Sequence, residues 1–410
     1  MQHITAASID MKHSRPYTSI AWTLLASAIA PEVSFAQVAD SWGISGDVTI
    51  TANNTNAPVS LTPTDVALLS APTIADGSRN TISASAVGAT ASASYVNAND
   101  QDATMAAAID GDVVVSAINP GSDITLAGTV DGAAIDQGHD NTIALSGVGA
   151  SAQISVVDDV LGGATVSRSL GINGDITLNA ENSGAVSVQT DVAGVEINGG
   201  TRNAFSGTAI GASAGVSVLA VVDDGTYTSD ISIGSGGLIS VTANNSGDIR
   251  IGATDDPTQA ATVSGAVLGV DSVDGSVSLM AIGASGSVSS TTVVYAGTAD
   301  PNVVFGEIVF DVVNTGAVEA NVTIADALIE GKNSISTGAI GSAMSTSAKS
   351  ISYAEGAQGV TGTMDSMSFA SSNSGSILMA GGLSNSGIAS GFSLAISLNA
   401  VGSSASFTLP

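Results

Sequence analysis

Paired aspartates are the residues of this chain whose type and spacing most directly suggest chemistry. Asp158-Asp159 and Asp223-Asp224 each follow two valines, in what look like matching places, and Asp255-Asp256 lies in a separate loop. Calcium binds six to eight oxygen atoms, which carboxylates supply readily. These six aspartates are therefore candidate calcium ligands. The competing interpretation is that paired aspartates end strands and keep the strand edges soluble.

Groups that could carry out catalysis are sparse. The one histidine after residue 36 is His139, in Gly138-His139-Asp140, where we expect an exposed loop residue. No His-Glu-x-x-His zinc motif occurs, and a Ser/His/Asp triad cannot be inferred from one loop histidine. A polysaccharide lyase would need clustered basic residues, yet those after residue 36 are single and scattered: Arg79, Arg168, Arg202, Arg250, Lys332 and Lys349. We predict no enzyme and no cofactor, calcium excepted.

The charge balance excludes one class of partner. The chain has 36 acidic and 8 basic residues, for a formal net charge of −28. Nucleic acid is bound through basic patches, which this composition does not supply. There is no cysteine, so disulfides and thiolate metal sites are excluded, and aromatic residues make up only 3% of the chain. A core must therefore be built from Ala, Val, Ile and Leu in thin layers.

A pentapeptide with a central glycine recurs six times, with its glycines 58 to 72 residues apart. Examples are Ala86-Val-Gly-Ala-Thr90 and Ala209-Ile-Gly-Ala-Ser213. Six copies at nearly constant spacing indicate a repeat of about 60 residues. The glycines of these copies, which we expect where backbones approach closely, are Gly88, Gly149, Gly211, Gly283, Gly341 and Gly402.

An Asn-x-Gly turn between β-rich runs keeps the same period. Asn54 is a degenerate first copy, and the turn asparagine lies two residues before each turn glycine. Asn and Gly tolerate the left-handed backbone that such turns require. The turn glycines are Gly121, Gly184, Gly247, Gly316 and Gly375. A weaker third marker is an asparagine that opens the strand before the pentapeptide, at Asn80, Asn141, Asn203 and Asn333.

The N-terminus has the features of a signal peptide starting at Met11. Basic residues precede an apolar run from Ile20 to Ala30, and Ser34-Phe35-Ala36 offers a cleavage site after Ala36. No later segment has 18 consecutive apolar residues, so we predict no membrane span after residue 36. The remaining residues, 37–410, divide into repeats of approximately 44–105, 106–168, 169–229, 230–300, 301–360 and 361–410.

These repeats predict an all-β fold with very little helix. Runs such as residues 175–190 alternate apolar and polar residues on either side of the turn, as half-buried strands do. We expect a β-solenoid, in which each repeat supplies two or three coils of about 20 to 25 residues, giving a rod of about 70 to 90 Å. Small residues on both faces of residues 80–96 predict another layer on each side. The alternative is a string of small β-sandwich modules.

The D-[IV]-x-[IVL] strands, N-S-G turns and A-[IV]-G-A-S segments resemble those of bacterial β-strand-repeat exoproteins, the group with filamentous-haemagglutinin-type and autotransporter passenger segments. The resemblance implies a secreted or cell-surface structural or adhesive protein, such as an adhesin, filament subunit or extracellular matrix component. It also implies self-association or binding to other matrix components. The alternatives are a carbohydrate- or surface-binding module and, less favoured, a β-helical polysaccharide-processing enzyme.

Overall fold

The computed structural model describes residues 40–55, 57–62, 67–99, 103–252, 260–352, 361–364, 366–391 and 395–408. These residues form strands, turns and loops, and none of them is helical, as the sequence predicts. The strands are β1 (Asp40–Ile44), β2 (Val48–Asn53), β3 (Val59–Leu61), β4 (Leu69–Ser70), β5 (Thr73–Ile74), β6 (Thr81–Asn99), β7 (Ala103–Ile109), β8 (Val113–Asn119), β9 (Ile124–Asp131), β10 (Ala134–Ile135), β11 (Thr142–Val160), β12 (Ala164–Ile172), β13 (Ile176–Asn182), β14 (Val186–Ala193), β15 (Glu196–Thr201), β16 (Ala204–Val222), β17 (Gly225–Asn245), β18 (Ile249–Ile251), β19 (Ala261–Ser264), β20 (Val267–Val294), β21 (Thr298–Asn314), β22 (Val318–Ala325), β23 (Leu328–Ser352), β24 (Thr361–Met364), β25 (Met367–Asn373), β26 (Ile377–Ser384), β27 (Gly387–Gly391) and β28 (Ala395–Thr408).

Each repeat forms one coil of a parallel stack. Strand β11 pairs on one side with β6 and on the other with β16, so that Ile143 lies beside Ile82 and Phe205. The same parallel pairing joins every repeat to the next. The solenoid prediction is confirmed, and the alternative of separate sandwich modules is wrong. The predicted two or three coils per repeat are also wrong: six coils at about 4.8 Å each give a stack of about 29 Å.

Three sheets run through the stack. The chain enters a coil in the first sheet, turns into the second, passes through the third and returns to the first, as β8, β9, β10 with β11, and β12 do. The third sheet carries the longest strands: β6, β11, β16 and the matching parts of β20, β23 and β28, which we call the long strands.

The long strands change phase at the repeat glycine. In β11, Ile143 and Leu145 are buried before Gly149, whereas Ala150 and Ala152 are buried after it, so the alternation shifts by one residue. Gly149 and its counterpart Gly211 both drop out of the otherwise continuous pairing, and the register is the same before and after them. The first halves pack against the second sheet and the second halves against the first sheet. The core is therefore divided into two lobes.

The two ends of the long strands meet. A straight 19-residue strand would span about 60 Å, yet Arg79, just before β6, forms an ion pair with Asp159 at the end of β11. Tyr295, after the fourth long strand, bonds Asp140, just before β11. The long strands must therefore curve, with the core lobes on the convex side. The predicted second layer is absent as a separate sheet from the described residues; instead, half-buried serines and aliphatic residues line the concave face.

Candidate functional site

A ladder of buried asparagines joins the six coils at the turn between the first and second sheets. The Nδ2 atom of Asn119 donates to Oδ1 of Asn182 at 2.7 Å, and Asn182 donates likewise to Asn245. From Asn119 to Asn373, each amide also donates to a carbonyl of its own turn, as Asn182 does to Gly184 at 2.8 Å. Such closed networks satisfy every buried donor. The rungs run through Asn54, Asn119, Asn182, Asn245, Asn314 and Asn373.

The repeat glycines lie opposite this ladder. A Cβ atom at Gly149 would overlap the amide of Asn182 and lie 2.6 Å from the carbonyl oxygen of Gly211. The glycine of one coil thus receives the asparagine of the next. The two sequence markers are the two sides of one contact. The same contact is made by Gly88, Gly211, Gly283 and Gly341, whereas a Cβ atom at Gly402 would meet nothing within 4 Å.

The turn glycines stack on each other for the same reason. A Cβ atom at Gly184 would overlap the carbonyl of Ser122, and one at Gly247 would overlap the carbonyl of Gly184. Gly316 and Gly375 repeat this arrangement, while Gly121, with φ +87°, takes the left-handed conformation. Only glycine fits where adjacent turns approach so closely.

A second set of contacts precedes the long strands. The Oδ1 atom of Asn141 accepts a bond from the backbone N–H of Asn80 at 2.9 Å, and Asn203 does the same for Asn141 at 3.0 Å. The residue before each of these positions is left-handed, and its charge alternates from coil to coil. These residues are Arg79, Asp140, Arg202 and Asp274, with φ between 54° and 57°.

Charged and aromatic residues close the gap between the two ends of the long strands, and we call this group the polar clasp. Besides the Arg79–Asp159 pair, Arg202 Nε lies 3.2 Å from Asp140 Oδ1. The hydroxyl of Tyr295 donates to Asp140 at 2.6 Å. The clasp consists of Ser78, Arg79, His139, Asp140 and Arg202 before the long strands and Asp159, Asp223 and Tyr295 near their ends.

His139 lies at the centre of the clasp. Its Nε2 atom is 2.8 Å from Ser78 Oγ and 3.2 Å from Asp223, its Nδ1 atom is 3.5 Å from Asp140, and Tyr295 stacks on its ring. The expected exposed loop residue is therefore partly buried. Ser78, His139 and Asp140 follow one another as the members of a catalytic triad do. In such a triad, however, the Nε2 atom of the histidine contacts only the nucleophile. Here Asp223 shares that atom, so we interpret the group as a structural contact.

Two of the three clasp aspartates, Asp140 and Asp159, have pKa values shifted in opposite directions. Burial by itself raises the pKa of Asp140, but hydrogen bonds with His139 and Tyr295 and the charge of Arg202 outweigh it, so the pKa is lowered. Burial also raises the pKa of Asp159, and there the Arg79 charge is too weak to reverse the shift. Asp140 is thus stabilised as an anion by the clasp, and Asp159 is not.

Next to the clasp, an ion pair is buried beside a small apolar cluster. Arg168 pairs with Asp158, whose other oxygen accepts a bond from the Tyr227 hydroxyl at 2.7 Å. The Arg168 guanidinium lies 3.9 Å from the centre of the Tyr95 ring, within cation–π distance. Burial, followed by the charge of Asp158, raises the pKa of Tyr227. Asp158, Arg168 and Tyr227 are buried, and Tyr95 is half-buried.

Of the predicted calcium ligands, Asp159 and Asp223 come together because both pair with Arg79, whereas Asp158 pairs with Arg168. The sequence suggested that the pairs at 158–159 and 223–224 occupy matching places, but this is wrong, because Asp158 and Asp159 align with Ala220 and Val221. Asp158, Asp159 and Asp223 face arginine or histidine, Asp224 is exposed, and Asp255 and Asp256 lie outside the described residues. Within the described ranges, no group of three or more His, Asp or Glu side chains could hold a metal ion. Calcium binding stays a prediction.

Sequence reasoning missed Ser78, Tyr95, Tyr227 and Tyr295, because none of them recurs with the repeat. One signal was available: arginine and aspartate alternate at the position before the strand-opening asparagine.

In the part of the chain that the structure describes, no helix has the length and apolar character needed to cross a bilayer. No family model, curated protein or solved structure matches the chain.

Proposed function

We propose that this chain is a secreted or cell-surface protein with a structural or adhesive role. One observation carries the proposal: the residues that recur from repeat to repeat make the contacts that join each coil to the next. The asparagine ladder and the repeat glycines opposite it both lie between coils. An enzyme or a protein that binds a small molecule would instead have its distinctive residues grouped around one pocket. The likeness to β-strand-repeat exoproteins supports the same proposal.

Export is tested by expressing the full chain in a bacterial host beside a Leu24→Arg variant, which interrupts the apolar run. We expect the unaltered chain outside the cytoplasm with Gln37 as its first residue, measured by fractionation and mass spectrometry. The variant should stay in the cytoplasm with its N-terminus intact. An unaltered chain that behaves like the variant would refute export.

Adhesion is tested with beads that carry the chain from Gln37, mixed with cells of the same host. The matched control is Gly211→Val, which cannot form the packed stack because Gly211 contacts Asn245 and the Gly283 carbonyl. We expect capture by the folded chain alone. Equal capture by both chains would contradict an adhesive role for the fold.

A further inference from the structure

The last coil leaves core positions uncovered. Phe369 stacks on Phe310 with ring centres 5.3 Å apart, yet Phe369 is 36% exposed and Phe310 only 1%. Leu383, Ile388 and Leu398 are 47%, 52% and 42% exposed. They align with buried residues of the preceding coil: Ile324, Ile329 and Thr337. Apolar core positions exposed together at one end are a surface for association.

The same end holds one half of the repeated contact. Five repeat glycines receive the asparagine of the following coil, and Gly402 is exposed with nothing within 4 Å of its Cβ position. Asn373, the last rung, accepts from Asn314 and donates to Gly375. An amide nitrogen has two hydrogens, so Asn373 has a further donor for a next rung. What fits here is a coil with an asparagine at its turn.

The first coil supplies the other half. Asn54 donates to Asn119, the asparagine of the next coil. Among the described residues, no asparagine donates to the Oδ1 atom of Asn54. Val48 and Ile50 are half-buried, whereas Val113 and Val115, their partners in the next coil, are buried. The first coil thus presents the asparagine and the apolar residues that would cover the exposed face of the last coil.

The distribution of charge also favours contact between the last coil of one copy and the first coil of another. The chain has a formal net charge of −28, but Asp365 is the one charged residue between positions 361 and 410. Other faces of two copies repel each other, whereas the last coil can be approached without that cost.

We infer that copies of this chain associate head to tail, with the first coil of one copy continuing the sheets of the last coil of another. Asn54 of the added copy then packs against Gly402 and accepts from Asn373, and Phe369, Leu383, Ile388 and Leu398 become buried. This contact is heterologous, so it does not close on itself and gives filaments. The inference rests on the proposed structural role and names its partner.

The experiment compares four forms of the chain from Gln37 by light scattering and negative-stain microscopy over a concentration series. Leu398→Lys adds a charge at the joint, and Gly402→Val fills the place of the asparagine. The control is Leu378→Lys, which is equally exposed but aligns with the outward-facing Glu319. We expect the unaltered chain and the control to form filaments with a mass at least about tenfold that of one chain. The two joint variants should stay monomeric with an unchanged melting temperature.

Two results would overturn this joint: an unaltered chain that stays monomeric at every concentration, and filaments that both joint variants form equally well. Export and adhesion by a monomeric chain would refute the joint and leave the proposed function standing. Filaments from a chain that is neither exported nor adhesive would support the head-to-tail contact and refute the proposed function.

Discussion

The asparagine ladder and the polar clasp both join coils, but they do so with opposite chemistry. The ladder uses one neutral residue in all six coils, and each rung repeats the same bonds at 2.7 to 2.9 Å. The clasp uses arginine, aspartate, histidine, serine and tyrosine, and its contacts differ from coil to coil. The ladder lies opposite the middle of the long strands, and the clasp lies at their ends.

The difference shows which interactions a repeat can multiply. A neutral amide is both donor and acceptor, so identical copies satisfy each other without limit. Identical charges in successive coils would repel each other at about 5 Å, the spacing of adjacent strands. Charged contacts between coils must therefore alternate or vary. We expect the ladder to dominate stability and the clasp to add a smaller, pH-dependent part.

The largest expected effect comes from the glycines opposite the ladder. Gly211→Ala places a methyl group against Asn245 and the Gly283 carbonyl, neither of which can move without breaking a rung. We expect a loss of more than about 3 kcal/mol in the free energy of unfolding, measured with urea. Gly402→Ala is the matched control and should be nearly neutral, because nothing lies within 4 Å. Equal losses at both positions would mean that the contact with the ladder is not what requires glycine.

A smaller effect is expected for a rung itself. Asn182→Ala leaves the Asn119 amide, the Gly184 carbonyl and the Asn245 amide without their partner, at a cost of about 2 to 3 kcal/mol. Asn373→Ala, at the end of the ladder, removes one bonded neighbour fewer and is less buried, so its loss should be clearly smaller. Equal unfolding midpoints for the two variants would show that the ladder does not act as a buried network.

Substitutions in the clasp should show the smallest effects on stability, with opposite pH dependence for Asp140 and Asp159. The pKa of Asp140 is lowered on folding, so its contribution is present at neutral pH and is lost as pH falls below its ordinary value near 3.8. Asp140→Asn should therefore destabilise by about 1 to 2 kcal/mol at pH 7 and become neutral in strong acid.

Asp159 provides the comparison, because its pKa is raised on folding. The folded protein then holds this proton more tightly than the unfolded chain, so its contribution declines as pH rises above 3.8. Asp159→Asn should be neutral or slightly stabilising at pH 7. Urea unfolding of both variants at neutral and acidic pH checks this, and a pH-independent loss for Asp140→Asn would contradict it.

The fold could be predicted as far as the repeat carried it. The recurring Gly211 and Asn245 indicated the period and the stacked sheets, because each position meets its own copy in the next coil. The number of residues per coil could not be derived, since a period of about 60 residues is compatible with one turn or several. The curvature of the long strands brings Arg79 to Asp159, 80 residues away, and no periodic signal links two such different residues.

The alternating charges of Arg79, Asp140, Arg202 and Asp274 restrict how the number of coils can change. Excision of residues 142–203 would remove one whole coil and bring matching asparagines and glycines together, so the ladder would stay continuous. The same excision would bring Asp140 next to Asp274, and these two like charges would repel each other. Excision of two coils would instead bring Asp140 next to Lys332, which has the opposite charge. The neutral rungs are compatible with any number of coils, but the charged positions favour changes by an even number of coils.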